Sequence, residues 1–127
     1  MKIGELVKIS GLSKDTIRYY EKFGLLCGVT RPSQFNNYKD YSEKNIARLE
    51  LIQEMKKLGF TLNECKNVIK SIINDDLDTN SQIKIINEKL AELEKQISEL
   101  QKHRDLLKNF LTNKCRKGDI LDHIKEP

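Results

Sequence analysis

Between Ser13 and Lys22 the sequence reads Ser-Lys-Asp-Thr-Ile-Arg-Tyr-Tyr-Glu-Lys, a short stretch dense in hydroxyl, guanidinium and ammonium groups. Side chains such as Thr16, Arg18 and Tyr19 donate to base edges and phosphate oxygens, so the chemistry within their reach is the binding of an anionic polymer. Lys14, Lys22, Arg31 and Lys39 extend the basic set. Covalent catalysis has no comparable constellation. No Ser/His/Asp set or carboxylate pair is legible, and His103 and His123 are the only histidines. The three cysteines, Cys27, Cys65 and Cys115, are odd in number and widely spaced, which argues against a secreted disulfide framework.

The elements that must position these groups are short helices. Ile3-Gly-Glu-Leu-Val-Lys-Ile9 has apolar residues at helical intervals, and Ser10-Gly11-Leu12 breaks them. Ser13 suits the N-cap of a second helix from Lys14 to about Lys22, and Gly24 supplies a left-handed stop. Two short helices joined by a tight Gly-containing turn make a helix-turn-helix, although an ordinary helical hairpin has the same pattern. From Cys27 to Asp40 the helical period disappears, and Gly28, Pro32, Ser33, Asn36 and Asn37 mark a hairpin-like wing. Ser42 is expected to cap a third helix, with Ile46, Leu49, Ile52 and Met55 inward and Gly59 at its end. Thr61-Leu-Asn-Glu64 is a capping box opening a fourth helix, whose stripe of Leu62, Cys65, Val68, Ile69, Ile72 and Ile73 puts Cys65 in the core.

Asn74 to Asn80, with three aspartates, reads as a linker. Beyond it Ile83, Ile86, Leu90, Leu93, Ile97, Leu100, Arg104, Leu107 and Leu111 follow at alternating intervals of three and four. That rhythm is a coiled-coil seam, and a helix over 81–113 spans about 50 Å, too long to fold back on a small head. Its partner is expected to be the same helix of a second chain. Arg104 either fixes the register of that pairing or turns its head to solvent. His103 flanks the seam and is expected in water.

Bulk properties agree. The 127 residues are 33% charged and 6% aromatic with no Trp, which limits the core and favours completion by a second copy. The net charge is +4, and residues 1–75 carry all of it, with 13 Lys and Arg against 9 Asp and Glu. A basic excess confined to one segment suits a nucleic-acid partner. No apolar run approaches the roughly 20 residues of a membrane helix, so a cytoplasmic chain without membrane contact is expected.

The run Ile3-Gly-Glu-Leu-Val-Lys-Ile-Ser-Gly-Leu-Ser-Lys-Asp-Thr-Ile-Arg-Tyr-Tyr-Glu-Lys-Phe-Gly-Leu25 closely resembles the opening of the MerR family of transcription regulators. The likeness continues through Asn37-Tyr-Lys-Asp-Tyr-Ser42 and Leu58-Gly-Phe-Thr-Leu-Asn-Glu64 into the long helix. It implies a mainly α fold: a winged helix-turn-helix DNA-binding domain (1–75), a linker (76–80), a long antiparallel coiled-coil dimerisation helix (81–113) and a short tail (114–127). Homodimers of this kind bind a near-palindromic operator in double-stranded promoter DNA and distort it, acting on RNA polymerase indirectly. The resemblance implies a DNA-contacting set of Ser13, Lys14, Thr16, Arg18, Tyr19, Tyr20, Arg31, Tyr38, Lys39, Lys56 and Lys57. Tyr38 and Lys39 match the wing tip. Asn37 stands where relatives often carry Gly, a change that Asn tolerates.

The resemblance also bears on what is sensed. Fourteen residues after the long helix are too few for the drug-binding domain of some relatives. Metal-sensing relatives place thiolates on a short loop there, where Cys115 matches the first ligand and His123 stands in the place of the second. Cys and neutral His suit Cu(I), Ag(I) or Zn(II). Branches that bind divalent metals add a Cys at the start of the dimer helix, where this chain has Asp78-Thr-Asn-Ser81. The reactive Cys that aldehyde-sensing relatives carry on the third helix has no counterpart in Leu51-Ile-Gln-Glu54. An alternative is a reactive Cys115 thiol, activated by Lys114, Arg116 and Lys117. A different class, an adaptor that does not bind DNA, would be expected to lack the basic residues of the second helix and wing.

Overall fold

The computed structural model describes residues 1–34, 38–112 and 123–125. Its main helices among these residues are α1 (Ile3–Ser10), α2 (Lys14–Phe23), α3 (Lys44–Lys57), α4 (Leu62–Ile73) and α5 (Thr79–Thr112). They belong to two compact units, residues 1–81 and 82–127.

In the first unit the helices start and stop where backbone chemistry dictates. α1 ends on Gly11 at φ +75°, whose N–H bonds the Val7 carbonyl. α2 starts from Ser13, whose Oγ accepts from the Thr16 amide at 3.1 Å, and stops at Gly24 at φ +89°. α4 opens with the expected capping box, Thr61 Oγ1 accepting from the Glu64 amide and Glu64 Oε1 from the Thr61 amide. α3 begins differently from the sequence reading. Glu43 holds its cap position in a helical conformation with no side-chain bond to the helix, and Ser42 Oγ accepts from the Lys44 amide instead. With this entry the inward face carries Asn45, fully buried, while Ile46 is half-buried.

The core joins all four helices through Leu6, Ile17, Leu49, Ile52, Cys65 and Ile69, with Leu25, Tyr41 and Phe60 from the connections. Each such side chain contributes about 1.5–3 kcal/mol when fully buried. Ile72 and Ile73 depart from the expected α4 stripe: they are 49% and 61% exposed because the last turn of α4 runs past this core.

Polar side chains complete the assembly by holding the ends of α1 and α2. Gln53 of α3 donates to the Ser10 carbonyl at 2.8 Å, and Lys66 of α4 donates to the Phe23 carbonyl at 3.0 Å. Arg48 donates to the Leu25 carbonyl, and Asn45 both accepts from the Cys27 amide and donates to the Cys27 carbonyl. Carbonyls at a helix C-terminus lack intrahelical partners, so Gln53 and Lys66 satisfy groups that would otherwise be orphaned, and Arg48 and Asn45 do the same for the chain just beyond α2.

The wing leaves α2 through Gly28, at φ +55°, where an added Cβ would lie 2.7 Å from Ser42 Cβ. Its two arms are antiparallel, with Ser42 bonded to Gly28 and Thr30 exchanging both backbone bonds with Asp40. Among the described residues this is an isolated bridge rather than a strand pair. The expected turn residues Asn36 and Asn37 lie outside the described residues.

The second unit is dominated by α5. The helix begins at Thr79, two residues before the sequence reading places it, because the Asp78 carboxylate accepts from the Ser81 amide at 2.7 Å and caps the first turn. Along it Ile83, Ile86, Leu90, Ile97, Leu100, Leu107 and Leu111 are 49–70% exposed, and Leu93 is half-buried. Leu106 and Phe110, outside the expected seam, are exposed beside its far end. Arg104, on the same seam, is also exposed and bonds Asp105 at 3.4 Å. None of the helices is long and apolar enough to cross a membrane, among the described residues.

Candidate nucleic-acid interface

α2 is amphipathic in a way that separates anchoring from presentation. Ile17 is fully buried and Tyr20 is 9% exposed, so this side of the helix faces the core. Lys14, Arg18, Tyr19 and Lys22 lie on the opposite side and are exposed. The adjacent tyrosines therefore part company: Tyr19 is presented outward, whereas the Tyr20 ring is packed inside and burial raises its phenol pKa. Ser13 and Thr16 are occupied locally, their hydroxyls 2.9 Å apart at the start of the helix. Arg18 pairs with Asp15 at 4.0 Å with both groups in water, an ion pair too weak and screened to hold the guanidinium.

The wing returns beside α2. Between them lies a cleft of about 250 Å³ lined by Lys2, Lys14, Arg18, Lys22 and Lys39, with Glu21 the single carboxylate. Tyr38 and Tyr41 close its wing side. Tyr38 is 68% exposed, while Tyr41 is buried. Five cations converging on one open cleft form a site for an extended anion, and the flanking phenol Tyr38 adds a donor.

Glu21 is engaged within the protein. Its Oε2 pairs with Lys39 Nζ at 2.5 Å, and its Oε1 accepts from the Tyr41 hydroxyl at 2.7 Å. Burial alone would raise the carboxyl pKa, but hydrogen bonds from Lys39 and Tyr41 and the charges of Lys39 and Arg18 outweigh it and hold the group below the usual glutamate range. On the other side of the bond, burial first and the Glu21 bond second push the Tyr41 phenol up to about 12.

The remaining expected DNA contacts are more scattered. Arg31 is exposed on the outgoing wing arm. Lys56 is exposed at the end of α3, and Lys57 beside it pairs with Glu54 at 3.2 Å, both in water. Lys2, Glu21 and Tyr41 were not among the site residues expected from sequence. Tyr41 could have been found, because residues 39 and 41 of an extended arm face the same way.

Cys65 is fully buried among apolar groups, and burial raises its thiol pKa. Cys27 is a half-buried free thiol. His123 is exposed, and Cys115 lies outside the described residues. Among the described residues no three His, Cys, Asp or Glu side chains converge as metal ligands would.

Comparison with known proteins matches this arrangement. Residues 1–72 fit the family model described as MerR HTH family regulatory protein, and residues 46–110 fit that described as MerR, DNA binding. The chain is 35% identical over 123 residues to the HTH-type transcriptional regulator CueR of Salmonella typhimurium, covering 96% of this chain and 86% of that one. It is 32% identical over 114 residues to the mercuric resistance operon regulatory protein of Bacillus cereus, covering 90% and 84%. Among solved structures it resembles the transcription regulator PbrR691 from Ralstonia metallidurans CH34 in complex with lead(II), with a TM-score of 0.79, 25% identity, and coverage of 89% and 86%. It also resembles HiNmlR, a MerR family regulator lacking the sensor domain, bound to promoter DNA, with a TM-score of 0.56, 26% identity, and 94% of each chain covered. The basic cleft beside α2, the wing and the long exposed helix are thus those of a transcription regulator, and the chain belongs to the MerR family.

Proposed function

We propose that two copies of this chain pair through antiparallel α5 helices in the cytoplasm and bind a near-palindromic operator, each inserting α2 into the major groove. The wing tip then holds the flanking backbone, and distortion of the central base pairs alters how RNA polymerase meets the promoter. The observation that carries this reading is the cleft in which Lys14, Arg18, Lys22 and Lys39 converge beside the outward face of α2. Its cations would neutralise phosphates, and Arg18 and Tyr19 would lie against the duplex. The work is binding and deformation, with smooth bending of a site costing on the order of 1–6 kcal/mol.

The test is a salt-controlled titration with duplex from the promoter region of the adjacent gene. Arg18→Ala is expected to lower affinity at least tenfold and to reduce the salt slope by about one, as loss of one phosphate contact should. Lys95→Ala, on exposed α5, is expected to change it less than twofold. Equal losses would remove the proposed docking.

For the inducer, we propose a soft metal ion taken up by Cys115 and His123. The donor chemistry is a thiolate with an imidazole, which suits Cu(I) or Ag(I). Zn(II) asks for four ligands in a structural site, and this pair supplies half of them. Its relatives include a mercuric resistance regulator and a protein solved with lead(II). His123 is exposed and so accessible for ligation. The reduced protein is expected to bind Cu(I) at micromolar concentration, and His123→Ala to lower that affinity at least tenfold while leaving metal-free DNA binding within twofold. Failure to bind either Cu(I) or Zn(II) would favour the reactive-thiol reading of Cys115.

A further inference from the structure

Glu21 stands against the electrostatics of its surroundings. Five cations line the cleft, and a carboxylate among them repels the phosphates they would attract. Its contacts supply another reason for its presence. Glu21 belongs to α2, whereas Lys39 and Tyr41, which its two oxygens hold, belong to the returning wing arm 18 and 20 residues later. Glu21 and Tyr41 are also well shielded, with the Glu21 side chain 19% exposed and Tyr41 3% exposed. Elsewhere the returning arm is held to the outgoing one, through the Thr30–Asp40 bridge, and to Met1, whose amino group donates to Asp40 and to the Tyr41 carbonyl; Glu21 is what joins it to α2 among the bonds of the described residues.

We infer that Glu21 is a positioning residue for operator recognition: its carboxylate ties the wing to the reading helix, so that both meet the duplex in one register. This rests on the DNA-binding reading above. The charge is unfavourable to phosphate in general and favourable to one spacing of two contact points. Glu21 therefore raises selectivity while lowering indiscriminate affinity.

That opposition of signs makes the inference testable. The wild-type protein is used to enrich a duplex from a randomised library, and binding is measured to that duplex and to a scrambled one of equal composition. Glu21→Gln, which removes the charge, is expected to lose at least tenfold for the enriched duplex while its affinity for the scrambled duplex holds or rises a few-fold. Tyr41→Phe, which cuts one tether without changing charge, is expected to lower the ratio of the two affinities by about threefold. Arg18→Ala, by contrast, is expected to lower both affinities. If Glu21→Gln and Tyr41→Phe keep wild-type circular dichroism and the wild-type ratio, the positioning role is overturned. The same holds if Glu21→Gln binds the enriched duplex more tightly. Should Glu21→Gln unfold, the ratio for Tyr41→Phe decides in the same way. If the wild type enriches no duplex, the DNA-binding reading itself falls, a result distinct from enrichment that is indifferent to Glu21.

Discussion

Asn45 shows what a single residue contributes here. Fully buried on α3, it satisfies both the amide and the carbonyl of Cys27 and so fixes the chain as it leaves α2 for the wing. Asn45→Ala strands two backbone groups, each costing about 1–3 kcal/mol when buried without a partner. We expect a stability loss of about 2–4 kcal/mol, measured by urea denaturation, with Cys27 and Leu25 amides among the first to lose hydrogen-exchange protection. A loss below about 1 kcal/mol would mean that water replaces the amide. Nothing in the apolar pattern of α3 marked Asn45, because periodicity counts apolar residues and is blind to a polar one that is buried for its hydrogen bonds. Glu21 escaped for a related reason: its partners lie 18 and 20 residues away, and no local spacing links them.

At the scale of elements, most boundaries were legible because they are written in single residues. Gly11, Ser13, Gly24 and the Thr61/Glu64 box act through the backbone within one turn, so sequence and structure agree on them. α5 starts earlier because the Asp78 carboxylate provides its first bond, whereas α3 starts one residue later than a Ser42 cap would place it, with Ser42 still accepting from the Lys44 amide. The 3-4 rhythm of α5 was equally plain, and the structure leaves its ridge exposed. It did not reveal the width of that ridge near the end, where Leu106 and Phe110 join Leu107 and Leu111. Introducing charge mid-ridge should be decisive. Leu93→Asp combined with Leu100→Asp is expected to give monomers by sedimentation equilibrium at about 10 µM, with operator binding weakened at least a hundredfold. An unchanged dimer would exclude this seam as the interface.

Across the molecule, the two units divide the work by chemistry. Residues 1–81 carry the cleft, the wing and the buried core, and α5 carries an apolar ridge that needs a partner. The division was foreshadowed by charge, since the basic excess lies wholly within residues 1–75. The inducer is less legible than the fold. Cys115 and His123 are two donors whose meaning depends on where the tail places them, and donor type without convergence does not define a site.

The side chains that hold α2 in place have a consequence for how such a reader can change. Lys66, Arg48 and Asn45 take hold of carbonyl oxygens and an amide of the main chain at Phe23, Leu25 and Cys27, groups that every residue but proline offers. The outward positions 14, 18, 19 and 22 take no part in that grip. Mutational drift can therefore rewrite what the helix reads while the frame that carries it stays unaltered, and a lineage can acquire new target promoters without first having to invent a new fold.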